Sequence, residues 1–300
     1  MEPLAELSQF IARRAPPDPI GTWKDEALGL MCGTASYIPE PTLHVYQPVF
    51  ALVVQGEKQL VLGKKVFTCG KGTFIVVSVD LPITFQISRA TPQEPYMALA
   101  LTLKPAAVAT LLLEAANVDR FPDEKEAAGL GVSNASTELL EALVRYIRLL
   151  DQPRDLSVLG PIAEKEIVWR LLCSEQGHRL RLIGLADSRL SQIGRAMRWM
   201  REHYREASSI KELARLSAMS VTSFHRHFRA VALMSPLQYL KQIRLQEARA
   251  RILAKADDIA TVGHSVGYES PSQFSREYKR AYGAPPGQDA RLLRASSSKS

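Results

Sequence analysis

The sequence predicts an α+β chain of two domains: an N-terminal β-barrel with flanking helices, then an all-helical domain. Three observations carry this. Residues 208–286 hold one helix-turn-helix unit twice, at an offset of 50 positions. Residues 27–104 hold seven short apolar runs separated by Gly and Pro, the rhythm of strands joined by turns. The charge is also divided, with 20 Lys+Arg against 10 Asp+Glu in 187–300 and 18 against 21 in 1–186. Three hundred residues allow two cores, and the boundary is placed at 186/187, in the polar, basic connector 176–187.

In chain order, residues 1–27 read as a helix and an extended arm around Pro16-Pro17-Asp18-Pro19. The strand candidates are Leu28–Cys32, Leu43–Tyr46, Phe50–Val54, Gln59–Leu62, Phe74–Val79, Ile83–Ile87 and Met97–Leu103. Hairpin turns fall at 55–58 and 63–65. Many short strands with no helix between them predict a jelly-roll or cupin-like barrel. Flanking helices follow from Lys104-Pro105 to Ala116, from a cap at Ser133 or Asn134 to Leu150, and over Asp155–Cys173, with a polar stretch at 117–131. Leu139, Leu143, Tyr146 and Ile147 form one apolar stripe that needs the barrel or a second subunit to cover it. A homodimer through 132–173 is therefore one expectation.

The C-terminal domain opens with a helix over Ser191–Tyr204, burying Ile193, Met197, Met200 and Tyr204. The 50-residue shift then sets Ser220 on Ser270, Phe224 on Phe274, Arg226 on Arg276, Phe228 on Tyr278, Arg229 on Lys279 and Pro236 on Pro286. Each Ser can cap the second helix of its unit. The aromatics at i and i+4 bury one face of that helix, and the arginines project from another. Leu237–Ala254, apolar at Leu237, Ile243, Ala248 and Ile252, reads as a stiff helix joining the units, and 295–300 as a disordered tail.

Several function classes find no support. No run of about 18 apolar residues crosses a membrane, and the first 14 residues lack the apolar core of a signal peptide. Cys32, Cys69 and Cys173 are odd in number and widely spaced, as reduced cytoplasmic thiols would be. There is no Gly-rich phosphate loop, nucleophile elbow or compact Ser/His/Asp set. His225 and His227 point about 200° apart on a helix, and the barrel offers only His44 with no His-X-His. No catalytic set, metal or cofactor is expected.

The segments Ser220-Val-Thr-Ser-Phe-His-Arg-His-Phe-Arg229, Ser235-Pro-Leu-Gln-Tyr-Leu240, Arg244-Leu-Gln-Glu-Ala-Arg249 and Val266-Gly-Tyr-Glu-Ser-Pro-Ser-Gln-Phe-Ser-Arg-Glu-Tyr278 resemble the AraC/XylS transcription regulators. Tyr282-Gly-Ala-Pro-Pro286 extends the likeness, which covers about 190–295. Tyr46-Gln-Pro48, Gln55-Gly56 with Lys58, Gly63, Gly70, Ser78-Val-Asp80, Pro82 and Pro95-Tyr96 resemble the N-terminal effector domain of a subgroup of that family, over about 20–180. The resemblance implies double-stranded DNA as partner, and RNA polymerase too for an activator. It carries base contacts onto Thr222, His225 and Arg226 in the first unit and onto Ser272, Gln273 and Arg276 in the second. Arg suits guanine and Gln adenine. Arg229, Lys279 and Arg280 lie further along, where phosphates are met. Two departures concern geometry: Ala218-Met219 stands where relatives often have glycine, and Leu233-Met234 replaces a common Thr-Gly.

A barrel of this size either fills its interior or leaves room for one small organic effector. Tyr37, His44, Tyr46, Phe50, Cys69 and Tyr96 are the candidate ligand contacts, with packed core aromatics as the competing reading. Another class of function is a metal-dependent cupin enzyme fused to a DNA-binding module, against which the missing ligands count. A third is a DNA-binding structural protein with a vestigial barrel.

Overall fold

The computed structural model describes residues 2–17, 19–115, 128–185, 188–206, 209–254 and 259–297, and the side chains to 291. The 186/187 boundary and most of the polar stretch at 117–131 thus lie outside the described residues. Among the described residues, ten strands form two antiparallel sheets. The first sheet is ordered β1(Ile20–Asp25), β2(Leu30–Ala35), β9(Tyr96–Thr102), β4(Val49–Gln55), β7(Thr73–Val77), β10(Leu130–Asn134). The second is ordered β3(Thr42–Tyr46), β8(Leu81–Arg89), β5(Glu57–Leu62), β6(Lys65–Gly70). They pack face to face as the expected cupin-like barrel.

The alternation of side chains along each strand sorts residues into two cores. On β4, Phe50, Leu52 and Val54 face the flanking helices, whereas Ala51 and Val53 face the second sheet. The outer face is covered by α1(Pro3–Arg14), α2(Pro105–Glu114), α3(Thr137–Leu149), α4(Pro153–Leu172) and α5(Gly177–Gly184). Leu4, Leu7 and Ile11 give α1 the helical spacing that lays one face on this core.

The inner core does not stop at the barrel. It runs on into α6(Arg189–Glu202), α7(Ile210–Leu216), α8(Val221–Ala232) and α9(Pro236–Ala254) through Ile193, Met197, Phe224, Phe228 and Tyr239. A separate core holds the last part of α9, α10(Ile259–Ser265), α11(Pro271–Tyr282) and α12(Pro286–Ser297). The barrel and the first helix-turn-helix unit therefore share a core, and the second unit has its own.

The junction is polar as well as apolar. Tyr239 Oη donates to the Asp80 carbonyl at 2.8 Å, and Gly129 N donates to the Val231 carbonyl at 2.9 Å. Arg201 Nε lies 3.1 Å from Asp80 Oδ2, an ion pair that leaves Oδ2 without a hydrogen bond. Burial raises the Asp80 carboxyl above its ordinary value, against the pull of Arg201 and Arg198. Gly63, at φ +62°, turns against α8: a Cβ there would lie 2.3 Å from the Leu233 carbonyl oxygen.

Several expectations are corrected. β1, β6 and β10 were not foreseen, because each mixes polar residues or glycine with few apolar ones and is held by pairing to a neighbour. Ser133 and Asn134 belong to β10, and Ser136 caps α3 instead, accepting from Leu139 N. The connector 176–187 contains α5, whose Leu180, Leu182 and Ile183 are buried. Leu237 is exposed, while Tyr239 and Leu245 are the buried partners of Ile243 on α9. Tyr204 lies beyond α6 and is half-buried. The tail remains helical to Ser297.

Candidate nucleic-acid interface

Each unit is built by local rules. Ser209 and Glu212 form a capping box that starts α7. The turn into α8 places Ala218 at φ +52°, a left-handed conformation that a side chain disfavours. Ser220 then caps α8, accepting from Ser223 N at 3.2 Å. In the second unit Gly267 takes positive φ one position earlier in register, and Ser270 caps α11, accepting from Gln273 N at 3.3 Å. At the helix ends, Leu233 is left-handed where the repeat has Gly283. The two departures from the family pattern are thus both accommodated by strained, non-glycine residues in the first unit.

The aromatic faces point inward as expected. Phe224 and Phe228 lie 5.5 Å apart with Phe228 edge-on to Tyr239 at 5.4 Å. Phe274 and Tyr278 repeat this at 5.6 Å, with Tyr268 against Phe274 at 5.3 Å. The opposite faces are open. Thr222, Arg226 and Arg229 on α8 and Ser272, Gln273, Arg276 and Lys279 on α11 are all exposed. His225 is half-buried, with Nδ1 enclosed and unbonded, and His227 is buried beneath Arg226, whose Nη2 lies 3.2 Å from its Nε2. Gln273 Nε2 donates to Glu277 Oε1 at 3.2 Å, so that side chain is held on its own helix.

Many arginines expected to add to the basic field are structural. Arg244 donates to the carbonyls of Tyr204 at 2.7 Å and Gly267 at 2.8 Å, tying the end of α6 to the second turn. Arg249 forms a bidentate pair with the buried Asp289 at 2.9 and 3.0 Å, and Tyr278 Oη donates to the same carboxylate at 2.7 Å. Burial alone would lower the Arg249 guanidinium, but Asp289 more than reverses this, and the net shift is upward. Burial first, then Asp289, raises the Tyr278 hydroxyl. Sequence reasoning missed these positioning residues because a buried ion pair between α9 and α12 looks like two surface charges until the helices are packed.

The six candidate effector contacts are not brought together. Tyr37 and His44 are exposed, and Phe50 faces the helices and not the barrel interior, because the strand alternation sends it to the other core. Tyr46, Cys69 and Tyr96 do pack in the inner core. Beside them Lys58, 5 % exposed, points inward in alternation with Leu60 and Leu62 and makes no hydrogen bond among the described residues. Burial raises the Cys69 thiol, with Lys58 opposing. Among the described residues no three His, Cys, Asp or Glu side chains converge as metal ligands.

A family model described as AraC-type transcriptional regulator N-terminus matches residues 27–179, and a helix-turn-helix domain model matches 213–291. The transcriptional activator RhaS of Escherichia fergusonii is 27% identical over 160 residues, 51% of this chain and 56% of RhaS. The virulence regulon activator VirF of Yersinia enterocolitica is 27% identical over 168 residues, 54% of this chain and 59% of VirF. The chain thus spans little more than half the length of these relatives. Among solved structures, ToxT from Vibrio cholerae O395 superposes with a TM-score of 0.54 at 9% identity, covering 88% of this chain and 98% of ToxT. Fatty acid-bound ToxT from strain SCE256 gives 0.53 at 11%, covering 86% and 94%. At that identity the likeness shows the fold, and the family rests on the match over residues 27–179: the chain belongs to the AraC-type transcriptional regulators.

Proposed function

We propose that this protein is a sequence-specific regulator that reads double-stranded DNA with α8 and α11 in successive turns of the major groove. The observation that carries this is the pairing of two Ser-capped helices, each buried on its aromatic face and exposed at a basic or amide side chain near its N-terminus. Such N-terminal residues reach base edges, and adjacent turns lie roughly 34 Å apart. Thr222, His225 and Arg226, with Ser272, Gln273 and Arg276, are the base readers; Arg229 and Lys279 meet phosphates. Arg226→Ala and Arg276→Ala should each relax one position of the site selected from randomised duplexes. Unchanged selected sites for both variants would overturn the base-reading role.

Residues 1–186 act as the effector and dimerisation domain and 187–300 as the DNA-binding domain. A relative in fold, ToxT, has been crystallised with an unsaturated fatty acid, which favours a small organic effector here as well. Homodimerisation is assigned to α4, because Leu139, Leu143, Tyr146 and Ile147 on α3 are all buried in the core shared by the barrel and its flanking helices. Val158, Leu159 and Ile162 on α4 remain exposed on one side of the helix. The chain works in the cytoplasm without a cofactor and, as an activator, would contact RNA polymerase.

A further inference from the structure

The two-residue turn joining β5 to β6 meets the end of the first reading helix. Gly63 takes φ +62° at its first position, where such hairpins ask for glycine, and Lys64 completes it. The turn is pressed against α8: a Cβ on Gly63 would lie 2.3 Å from the Leu233 carbonyl oxygen. Thr222, Arg226 and Arg229 are exposed on α8, and at 3.6 residues per turn they fall within about 60° of one another. Leu233, the left-handed C-cap of α8, takes the next place in that series, about 6 Å of rise beyond Arg229. Phe224, Phe228 and Val231 occupy the opposite face and belong to the core shared with the barrel. The barrel therefore backs α8, while the β5–β6 turn stands at the end of its reading stripe. Lys64 and Lys65 at this turn are exposed, and neither side chain has an ion-pair or hydrogen-bond partner among the described residues.

Resting on the reading of DNA by α8 given above, we propose that the barrel itself touches DNA. Lys64 and Lys65 bind backbone phosphates that flank the stretch read by α8. β6 is the edge strand of its sheet, and exposed lysines guard any such edge against further pairing. That role asks nothing of where the turn sits, and its place is what selects DNA. Arg229 lies one helical turn earlier, and the two lysines carry the same line of positive charge past the end of α8. Lysine is a point charge on a flexible stem, suited to a phosphate, and phosphate contacts position a protein without reading sequence. With no acid paired to either lysine, the phosphates displace no existing partner. The contact holds only while the barrel is docked on α8, because the packing of Gly63 on Leu233 sets the turn there. DNA consequently binds the docked chain more tightly, and DNA and docking favour each other by the same factor.

The test titrates the full chain with a selected duplex and a scrambled one, by fluorescence anisotropy over a range of salt. Lys64→Ala and Lys65→Ala should each flatten the plot of log affinity against log salt by about 0.9. Each should weaken both duplexes about fivefold near 0.15 M salt, and the double variant about thirtyfold. Lys71→Ala removes the same charge from the turn at the other end of β6 and should change affinity less than about twofold. A scan of the selected duplex with single methylphosphonates then locates the contact. One or two neutralised phosphates should weaken the unsubstituted chain and leave the double variant indifferent, while the bases selected by both chains stay the same. Unchanged salt slopes, an equal effect from Lys71→Ala, or no phosphate that distinguishes the two chains would each overturn the contact. Tighter binding by the double variant would also overturn it, since the turn would then obstruct DNA. An unsubstituted chain that binds both duplexes equally, or neither, would instead overturn the reading of DNA by α8 on which the proposal rests.

Discussion

Removing Arg201 tests the junction between the domains. The Asp80 carboxylate side chain is 6 % exposed, and Arg201, 28 % exposed, is its ion-pair partner at 3.1 Å. Arg201→Ala leaves a buried charge uncompensated, and such losses cost about 3–5 kcal/mol. Water reaches the arginine end of this pair, so the lower figure, about 3 kcal/mol, is expected. Asp80→Asn keeps the shape and removes the charge, and a partly solvated Arg201 tolerates that at a cost of about 1 kcal/mol. In the Asp80→Asn background, Arg201→Ala should cost only about 1 kcal/mol, giving a coupling of about 2 kcal/mol. The pH dependence fixes the sign. Burial raises the folded-state carboxyl above its unfolded value, so the folded state binds the proton more tightly. The Asp80 contribution to stability is therefore greatest below the unfolded pKa and is lost as pH rises through the folded one. Arg201→Ala, which removes a group that lowers this pKa, should recover stability on acidification from pH 7.5 towards 5, and the double variant should show none of that recovery. Urea denaturation followed by Trp fluorescence and circular dichroism measures all four chains. A cost below about 1 kcal/mol for Arg201→Ala at pH 7.5, or equal costs in both backgrounds, would refute the argument.

Three further outcomes follow from the geometry. Ala218→Gly should stabilise the chain by about 1 kcal/mol, because Ala218 sits at φ +52° and glycine is free of that penalty; thermal unfolding with an unchanged or lower Tm counts against it. Arg229→Ala and Lys279→Ala should weaken selected and random DNA alike, and each should flatten the plot of log affinity against log salt by about 0.9; a change confined to one base position would reassign them as base readers. Ile162→Glu, on the exposed side of α4, should dissociate a dimer of the full chain in sedimentation at micromolar concentration, and an unaltered dimer would place the contact elsewhere.

What the sequence made legible was what local rules decide. The Ser220 and Ser270 caps and the i, i+4 aromatics are each set by residues within four positions of one another, and all are in place. The strands rich in Val, Ile and Leu were legible because burial on both faces leaves a continuous apolar run. Phe50, named as a candidate effector contact with a packed core aromatic as the competing reading, lies in the helix-facing core; such a run does not say which alternate side chain meets which layer. The strand Ile20–Asp25 was invisible because its partner, not its composition, makes it a strand. Arg249 with Asp289 and Asp80 with Arg201 were beyond reach, since each pair joins elements that only the packed fold brings together.

The shared core changes what a signal from the barrel can do. Tyr239 is fully buried against Phe228 and donates to Asp80, so the start of α9 is part of the barrel junction. Further along the same helix, Lys241 pairs with Glu277 at 2.7 Å and Arg244 holds the Gly267 carbonyl, both in the second unit. Lys241 and Arg244 follow Tyr239 by two and five residues on the same continuous helix, a rise of about 3 and 7.5 Å, so α9 connects the Asp80 junction to the second unit within about two turns. A rotation of α9 at the junction is passed to the second unit through the Lys241–Glu277 and Arg244–Gly267 contacts, and so would alter how α11 sits relative to α8. Because DNA offers the two helices successive groove turns at a fixed spacing, a small change in that relation separates a chain that engages both grooves from one that engages only the first. On the proposed reading, the barrel would act on site affinity without covering either reading face, both of which stand open in this structure.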